Sequence, residues 1–418
     1  MKFNLAFIGL FTFTWVLSNS SFAQLSIQFE PINSSINSPD PVQSLDIPYD
    51  DINQDRQAFH LFLPDTDGQF PVVIFYHGGG FTGGSRDKVF EDEALQRAIK
   101  YFLENGIAFI SAGYRLIDNR TEEEGVIKSL KDSKRALQFI RHYAEDLHIM
   151  PERIGLMGSS AGAGTALWLA THNDMADPNS EDPVLQESTR VTAVRLGGSQ
   201  ATYDIPKWES LVYLEFGFTL ADIEAILGFD RLSDFYGGLE SVDQIYQDEA
   251  LIAYREEVDM LNHMSADDPP LYILSSSGAS LPEQDVFHHG AHSIAIWEQA
   301  LAANLPEVKA AINFQSIDTT EGEIGEIFLA RHLKNGLEEA PLILSVSDNE
   351  HSRIRVYPNP TAETLYLENQ QASTPFKIFD LNGRLVKSGT ENTIDVSGLD
   401  RGIYLLTIKQ ETIKFVKE

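Results

Sequence analysis

The chain has 418 residues, with 31 Lys+Arg against 62 Asp+Glu and a formal charge of −31 at pH 7. That balance argues against a nucleic-acid or anionic-membrane partner, because phosphate binding needs clustered basic side chains. A composition of 43% apolar and 22% charged residues is that of a globular chain. The complete lack of cysteine excludes disulfides, thiolate metal sites and a cysteine nucleophile together.

At the N-terminus Lys2 precedes the apolar run LAFIGLFTFTWVL, and the small residues Ser21 and Ala23 stand before Gln24. This is a signal-peptide pattern over residues 1–23, with a run too short to span a bilayer. Without a following cysteine no lipid anchor is expected, and no later stretch is long and apolar enough to cross a membrane. The mature chain is therefore expected to be exported and to have no transmembrane segment.

Beyond residue 45, strand-like and helix-like segments alternate. FHLFLP, PVVIFYHGGG and IAFISAGYRL read as strands; DEALQRAIKYFLENG and GVIKSLKDSKRALQFIRHYAEDL read as helices. RIGLMGSSAG is a strand entering a turn, with the helix AGTALWLATH beyond it. VTAVRLGGSQ, PLYILSSSG and VKAAINFQSI supply later strands, and SIAIWEQALAAN a helix between the last two. Such alternation predicts an α/β domain over 24–345, with a doubly wound, mostly parallel sheet covered on both faces. Residues of about 203–264 interrupt it with acidic, aromatic, helix-rich sequence, expected to form a cap over the carboxyl ends of the strands.

Two motifs carry chemistry. Gly158-Ser159-Ser160-Ala161-Gly162 is G-x-S-x-G where a strand meets a helix, a context that presents Ser160 on a tight turn at a helix N-terminus. His77-Gly78-Gly79-Gly80-Phe81 follows an apolar strand, and its glycines allow backbone N–H groups to face a substrate oxygen. A phosphate-binding reading fails for want of Gly-Lys-Ser/Thr. His77 is expected to orient the loop rather than to act as a base. With HGGGF, ISAGYRL, GSSAG and DDPPLYILSSSG in that order, residues 45–337 resemble the HGGG-bearing esterase and lipase branch of the α/β-hydrolase fold. The resemblance implies a serine carboxylic-ester hydrolase with Ser160 as nucleophile and the amides of Gly79, Gly80 and Ala161 as oxyanion hole. It implies no cofactor; a small-molecule or polysaccharide-linked ester is the expected substrate.

The family order places an acid after the seventh strand and a histidine after the eighth. Asp285 fits the acid, Asp267 and Asp268 being too early, but the loop DTTEGEIGEIF holds no histidine and offers only Glu321 or Glu323. His332, a further alternative base, falls within the helix FLARHLKNG, where a surface or packing role is the simpler reading. His288, His289 and His292 flank the acid loop, and because a triad is defined by geometry rather than chain order, one of them is the candidate base. His289 is favoured because Gly290 follows it. Three imidazoles with Asp285 also suit Zn²⁺, though no metal is expected. Asp174, Asp177, Asn179 and Asp182 lie in an acidic loop that does not match the EF-hand spacing and reads as solvated. His172 reads as a C-terminal capping cation. Gln200, Tyr203 and Asp204 read as pocket lining, Asp204 also as an outside candidate for the acid.

From Val356 the chain reads VYPNP, TLYLEN, PFKIFDLNGRLVKSG, NTIDVSGLDRGIYLLTIKQETIKFVKE, with alternating apolar residues broken by Asn-Gly and Arg-Gly turns. Short antiparallel strands and a small all-β sandwich over 352–418 are expected. This segment carries a net +1, leaving −32 to the rest, which places a domain boundary at the polar stretch SVSDNEHS. YPNP, DLNGRLV, LDRGIYLLTI and the terminal KFVKE resemble the C-terminal sorting domain of the type IX secretion system. That resemblance implies the type IX machinery as a partner and delivery outside the cell or onto its surface. Two rival functions remain on sequence alone. One is a catalytically degenerate α/β-hydrolase fold that binds a surface or carbohydrate, prompted by the missing histidine. The other is a peptidase of the same fold, for which the N-terminal propeller has no room.

Overall fold

The computed structural model describes residues 25, 27–32, 41–337, 355–357, 360–368, 375–380, 385–408 and 411–417. The expected signal peptide and the linker around 345–352 lie outside these residues. The chain divides into two compact units, residues 1–336 and 337–418.

The first unit is built on a ten-stranded sheet. Its strands and helices run β1 (Glu30–Pro31), β2 (Val42–Pro48), β3 (Ala58–Leu63), β4 (Phe70–Tyr76), α1 (Lys88–Glu91), α2 (Glu93–Glu104), β5 (Ala108–Ala112), α3 (Val126–His142), β6 (Ile149–Ser159), α4 (Ala161–Thr171) and β7 (Ala193–Gly197). Five short helices follow: α5 (Leu220–Leu227), α6 (Phe229–Phe235), α7 (Gln244–Gln247), α8 (Glu249–Glu257) and α9 (Met260–His263). The unit closes with β8 (Leu271–Ser275), α10 (Gly290–Ala302), β9 (Val308–Ile312), β10 (Ile317–Asp318) and α11 (Gly325–Lys334). The spatial order is β1-β2-β3-β5-β4-β6-β7-β8-β9-β10. Strands β5, β4, β6, β7, β8 and β9 are parallel, and the remaining pairings are antiparallel.

The apolar runs of the parallel strands divide by parity between two cores, because successive side chains on a strand point to opposite faces. In β4, Val72, Ile74 and Tyr76 pack with α3, α4 and α10, while Val73 and Phe75 pack with α2 and α11. Helix α2 shows the sequence logic plainly. The Asp92 side chain accepts from the amides of Ala94 and Leu95, and Leu95, Ala98, Ile99, Phe102 and Leu103 form one buried stripe. The crossover after β4 lies on the α2 face and that after β6 on the α4 face. Adjacent strands β4 and β6 therefore mark a topological switch point, the place where open α/β sheets bind ligands. Both sequence motifs lie there.

The second unit has two antiparallel sheets. One is β11 (Arg355–Tyr357), β12 (Thr364–Glu368) and β15 (Thr393–Asp395). The other is β14 (Leu385–Gly389), β13 (Phe376–Asp380), β16 (Gly402–Ile408) and β17 (Glu411–Lys417). Leu365, Leu367, Phe376, Ile378, Ile394, Tyr404, Leu406, Ile408 and Phe415 from both sheets share one core, a small sandwich.

Candidate active site

Ser160 has φ 53° and ψ −124°, a positive φ that costs a non-glycine residue about 1–3 kcal/mol and persists only when its surroundings impose it. The surroundings are backbone. A Cβ at Gly158 would fall 2.2 Å from the Gly162 carbonyl oxygen, and one at Gly162 would fall 2.0 Å from the Tyr76 carbonyl oxygen. The Ser160 amide donates to the Gly197 carbonyl at 2.8 Å, tying the turn to β7. The glycines of G-x-S-x-G are thus there so that β4, β6 and α4 can approach. Gly162→Ala must push α4 off β4 and displace Ser160 with it. We expect reaction of Ser160 with a fluorophosphonate probe to slow by about 100-fold, since roughly 1 Å of misplacement costs that much, together with a lower Tm in calorimetry.

The Ser160 hydroxyl lies 2.8 Å from Nε2 of His288, and Nδ1 of His288 lies 3.1 Å from Oδ1 of Asp285. Asp285 also accepts from the His288 amide at 3.1 Å through Oδ1 and from the Ser277 hydroxyl at 3.1 Å through Oδ2. With Nδ1–H directed to the carboxylate, Nε2 is left as acceptor for the serine proton. Asp285 and His288 lie three residues apart in one turn after β8.

The imidazole that reaches the Ser160 hydroxyl is that of His288, not that of His289, the candidate favoured in sequence. His289 is the N-cap of α10: its Nδ1 accepts from the Ala291 amide at 3.2 Å, and its ring packs on Phe314 and Phe216. Gly290 serves that packing, since a Cβ there would sit 2.0 Å from Cβ of Phe314. His292 is fully buried. Its Nδ1 accepts from the Ala201 amide and its Nε2 donates to the Val286 carbonyl at 3.0 Å, so it props the acid–base turn from beneath. Burial pushes its pKa down to about 3. His332 pairs with Glu307 at 3.1 Å on α11. The three imidazoles 288, 289 and 292 diverge rather than converge, and among the described residues no cluster of three or more His, Asp or Glu is placed to hold a metal.

The other candidates resolve individually. Glu323 pairs with Arg331, and Glu321 is exposed beside Lys309. Asp204 is engaged by Arg255 at 2.7 Å and lines no cavity at Ser160, correcting its place as lining and as a spare acid. Gln200 and Tyr203 do line the cavity. Gln200 donates to the Phe287 carbonyl at 2.7 Å, steadying the histidine turn. Asp174 accepts from Thr189 and Ser188, Asp177 from the Asn179 amide, and Asp182 pairs with Arg135. His172 does close α4, donating from Nδ1 to the Trp168 carbonyl at 2.8 Å. Burial lowers its pKa to about 4, however, so it caps as a neutral donor rather than a cation.

The His77–Gly80 loop runs beside the elbow. The His77 ring stacks on Tyr114 with centroids 4.2 Å apart and bonds from Nδ1 to the Gly78 carbonyl at 2.8 Å, while the Tyr114 hydroxyl donates to the His77 carbonyl at 2.6 Å. Burial pushes the His77 pKa down to about 4, which leaves the ring neutral. Among the described residues, the amides of Gly79, Gly80 and Ala161 have no acceptor. From α6 Arg231 donates to the Gly80 carbonyl, a contact with no signal in the sequence. A cavity of about 830 Å³ opens over Ser160, walled by Phe81, Tyr203, Trp208, Leu227, Phe235 and Phe287. Most of these walls come from the segment between β7 and β8.

Residues 59–197 match the BD-FAE family model, and residues 355–418 match the secretion system C-terminal sorting domain. Over residues 59–197 the chain is therefore similar to the BD-FAE family. That match contains the His77–Gly80 loop and Ser160 and ends before Asp285 and His288. Esterase P of Drosophila melanogaster is 31% identical over 143 residues, which are 31% of this chain and 25% of that relative. This chain therefore aligns with only a quarter of the relative's length. A truncated carbohydrate esterase from gut microbiota is similar at 15% identity and TM-score 0.46, covering 64% of this chain and 87% of that one. A bifunctional GH43-CE protein of Bacteroides eggerthii is similar at 19% identity and TM-score 0.49, covering 69% and 38%. Among the described residues, no helix is long and apolar enough to cross a membrane.

Proposed function

We propose that this protein is an exported serine esterase that cleaves carboxylic esters through an acyl-enzyme on Ser160. The observation that carries the reading is the 2.8 Å contact from the Ser160 hydroxyl to His288, itself held by Asp285. Ser160 Oγ attacks the ester carbonyl carbon as its proton passes to Nε2 of His288, and the carbonyl π electrons move to oxygen. The amides of Gly79, Gly80 and Ala161 donate to that oxyanion, the positive end of α4 adding to them. Collapse breaks the C–O bond, and the imidazolium returns its proton to the departing alcohol. Water, deprotonated by His288, then attacks the acyl-enzyme, and the acid leaves with Ser160 restored. Asp285 holds the imidazole in the required tautomer and stabilises its charged form. The sorting-domain match supports delivery by the type IX machinery to the surface or the medium.

The reading of a degenerate binding protein rested on the lack of a histidine after β9, and His288 removes that premise. A fluorophosphonate probe tests the proposal. Labelling of the wild type that disappears in Ser160→Ala, together with turnover of acetyl or p-nitrophenyl esters, is the expected result. A wild type that neither labels nor hydrolyses any of these esters overturns it.

A further inference from the structure

In a chain of charge −31, one arginine beside Ser160 is left without a counter-charge. Arg195 projects from β7 onto the α2 and α11 face, where its strand neighbours in register are the apolar Met157 and Tyr272. It forms no hydrogen bond or ion pair with any described residue, and its Nε is enclosed and without a partner. Elsewhere in this unit arginines 115, 135 and 255 each pair with a carboxylate at 2.7 Å or less, and the half-buried Arg141 and Arg231, which form no ion pair among the described residues, donate to backbone carbonyls instead.

The fold makes room for this side chain. A Cβ at Gly325, the first residue of α11, would lie 2.7 Å from Cγ and 3.1 Å from Nε of Arg195. A Cβ at Gly197 would lie 2.9 Å from Nη1. Two glycines on two elements thus leave a channel along which the guanidinium rises to the level of Gly197, which pairs in the sheet with Ser159. At that level Arg195 lines both cavities that meet at Ser160. One is the large cavity described above; the other, of about 420 Å³, is bounded by Ser159, Gly198, Ser275, Ser277, Asp285 and His288. Glu326 faces the first cavity and attracts the guanidinium without reaching ion-pair distance. Burial without a partner is unfavourable for a polar group unless a ligand supplies the bond. Its position beside the reacting serine places that ligand on the substrate.

We propose that Arg195 is a specificity residue that binds a carboxylate on the ester substrate, so that the preferred substrates are esters of carboxylate-bearing molecules. The planar fork of a guanidinium matches a carboxylate in a bidentate pair, which a neutral ester cannot supply. The inference rests on the esterase reading above. It leaves open on which side of the scissile bond the carboxylate stands, and the two arms of the test separate these.

The test compares matched pairs. With the carboxylate on the alcohol side, 4-acetoxybenzoate is set against its methyl ester; with it on the acyl side, p-nitrophenyl hemiglutarate is set against p-nitrophenyl valerate. In one arm the wild type should favour the carboxylate by roughly 10- to 100-fold in kcat/KM, the range for a charge-assisted hydrogen bond. Arg195→Gln should collapse that ratio towards one, chiefly through KM. Arg195→Met, of similar length and apolar, should do the same if the glutamine variant is insoluble. Hydrolysis of the neutral esters with no preference in either arm overturns the inference and leaves the esterase reading standing. A preference that survives loss of Arg195 also overturns it. Failure to hydrolyse any of the four esters, with no probe labelling, removes the esterase reading itself.

Discussion

Alanine at position 288 is expected to lower kcat for ester hydrolysis by about 10⁴-fold or more, the order seen when a triad base is removed. Alanine at position 289 should cost less than tenfold. The two residues are adjacent and chemically identical, so the difference is a test of geometry alone. His288 presents Nε2 to the Ser160 hydroxyl at 2.8 Å, whereas the His289 imidazole faces the first turn of α10 and the Phe314 ring. Loss of His289 removes an N-cap and should appear as about 1 kcal/mol of stability, read as a lower urea midpoint. Asp285→Asn should fall close to the His288 variant, because an amide that donates to Nδ1 would force the proton onto Nε2, where it blocks acceptance from Ser160. Wild-type turnover in His288→Ala, or near-complete loss in His289→Ala with the fold intact, would move the base elsewhere.

The sequence carried the parts of this site that depend on local backbone and missed the parts that depend on side-chain direction. GSSAG and HGGGF are legible because close backbone approach admits only glycine at fixed spacings. The contacts of 2.0 and 2.2 Å that a Cβ at 162 or 158 would make are the physical content of that motif. Strands such as VVIFY are legible because a run buried on both faces is apolar throughout. The choice among 288, 289 and 292 was not legible, since it turns on where α10 begins. Gly290 favoured His289 in sequence, but the glycine is required by the Phe314 side chain, which arrives from after β9. Asp204 failed as an acid for a similar reason, its partner Arg255 lying in α8, fifty-one residues away. Arg195 was invisible in its role. A lone arginine in a strand reads as an edge or surface residue, and only the paired absences of side chain at Gly197 and Gly325 reveal the space kept for it.

Stability should fall steeply as pH drops from about 6.5 towards 4, because burial lowers the pKa of His60, His77, His172, His289 and His292, and three of them by a large margin. His77 and His172 are pushed down to about 4 and His292 to about 3, burial being the largest cause in each. Around His77 stand Arg56, Arg86 and Asp87; around His172, His263 and Asp259; around His292, His288, His289 and Asp285. In each case the folded pKa lies below the unfolded value near 6.5, so the unfolded chain binds more protons between the two. Stability is therefore fully present above pH 6.5 and is lost as pH falls. Each group contributes a slope approaching about 1.4 kcal/mol per pH unit, and together the three approach about 4. Protonation of most carboxylates would relieve repulsion within this −31 chain only below about pH 4.5, but Asp268, pushed up to about 6 by burial, takes its proton in the folded state between about pH 6 and 4 and offsets one histidine's share there. Urea unfolding at half-unit steps should show this slope, and His172→Gln, remote from Ser160, should reduce it by about one proton's share, near 1.4 kcal/mol per unit. A stability independent of pH between 7 and 5, or an unchanged slope in the variant, would refute the argument. Since His77 anchors the glycine loop and His292 props the turn carrying Asp285 and His288, the same protonations dismantle both sides of the reaction centre. Acid unfolding should therefore remove the near-ultraviolet signal of the buried aromatic walls.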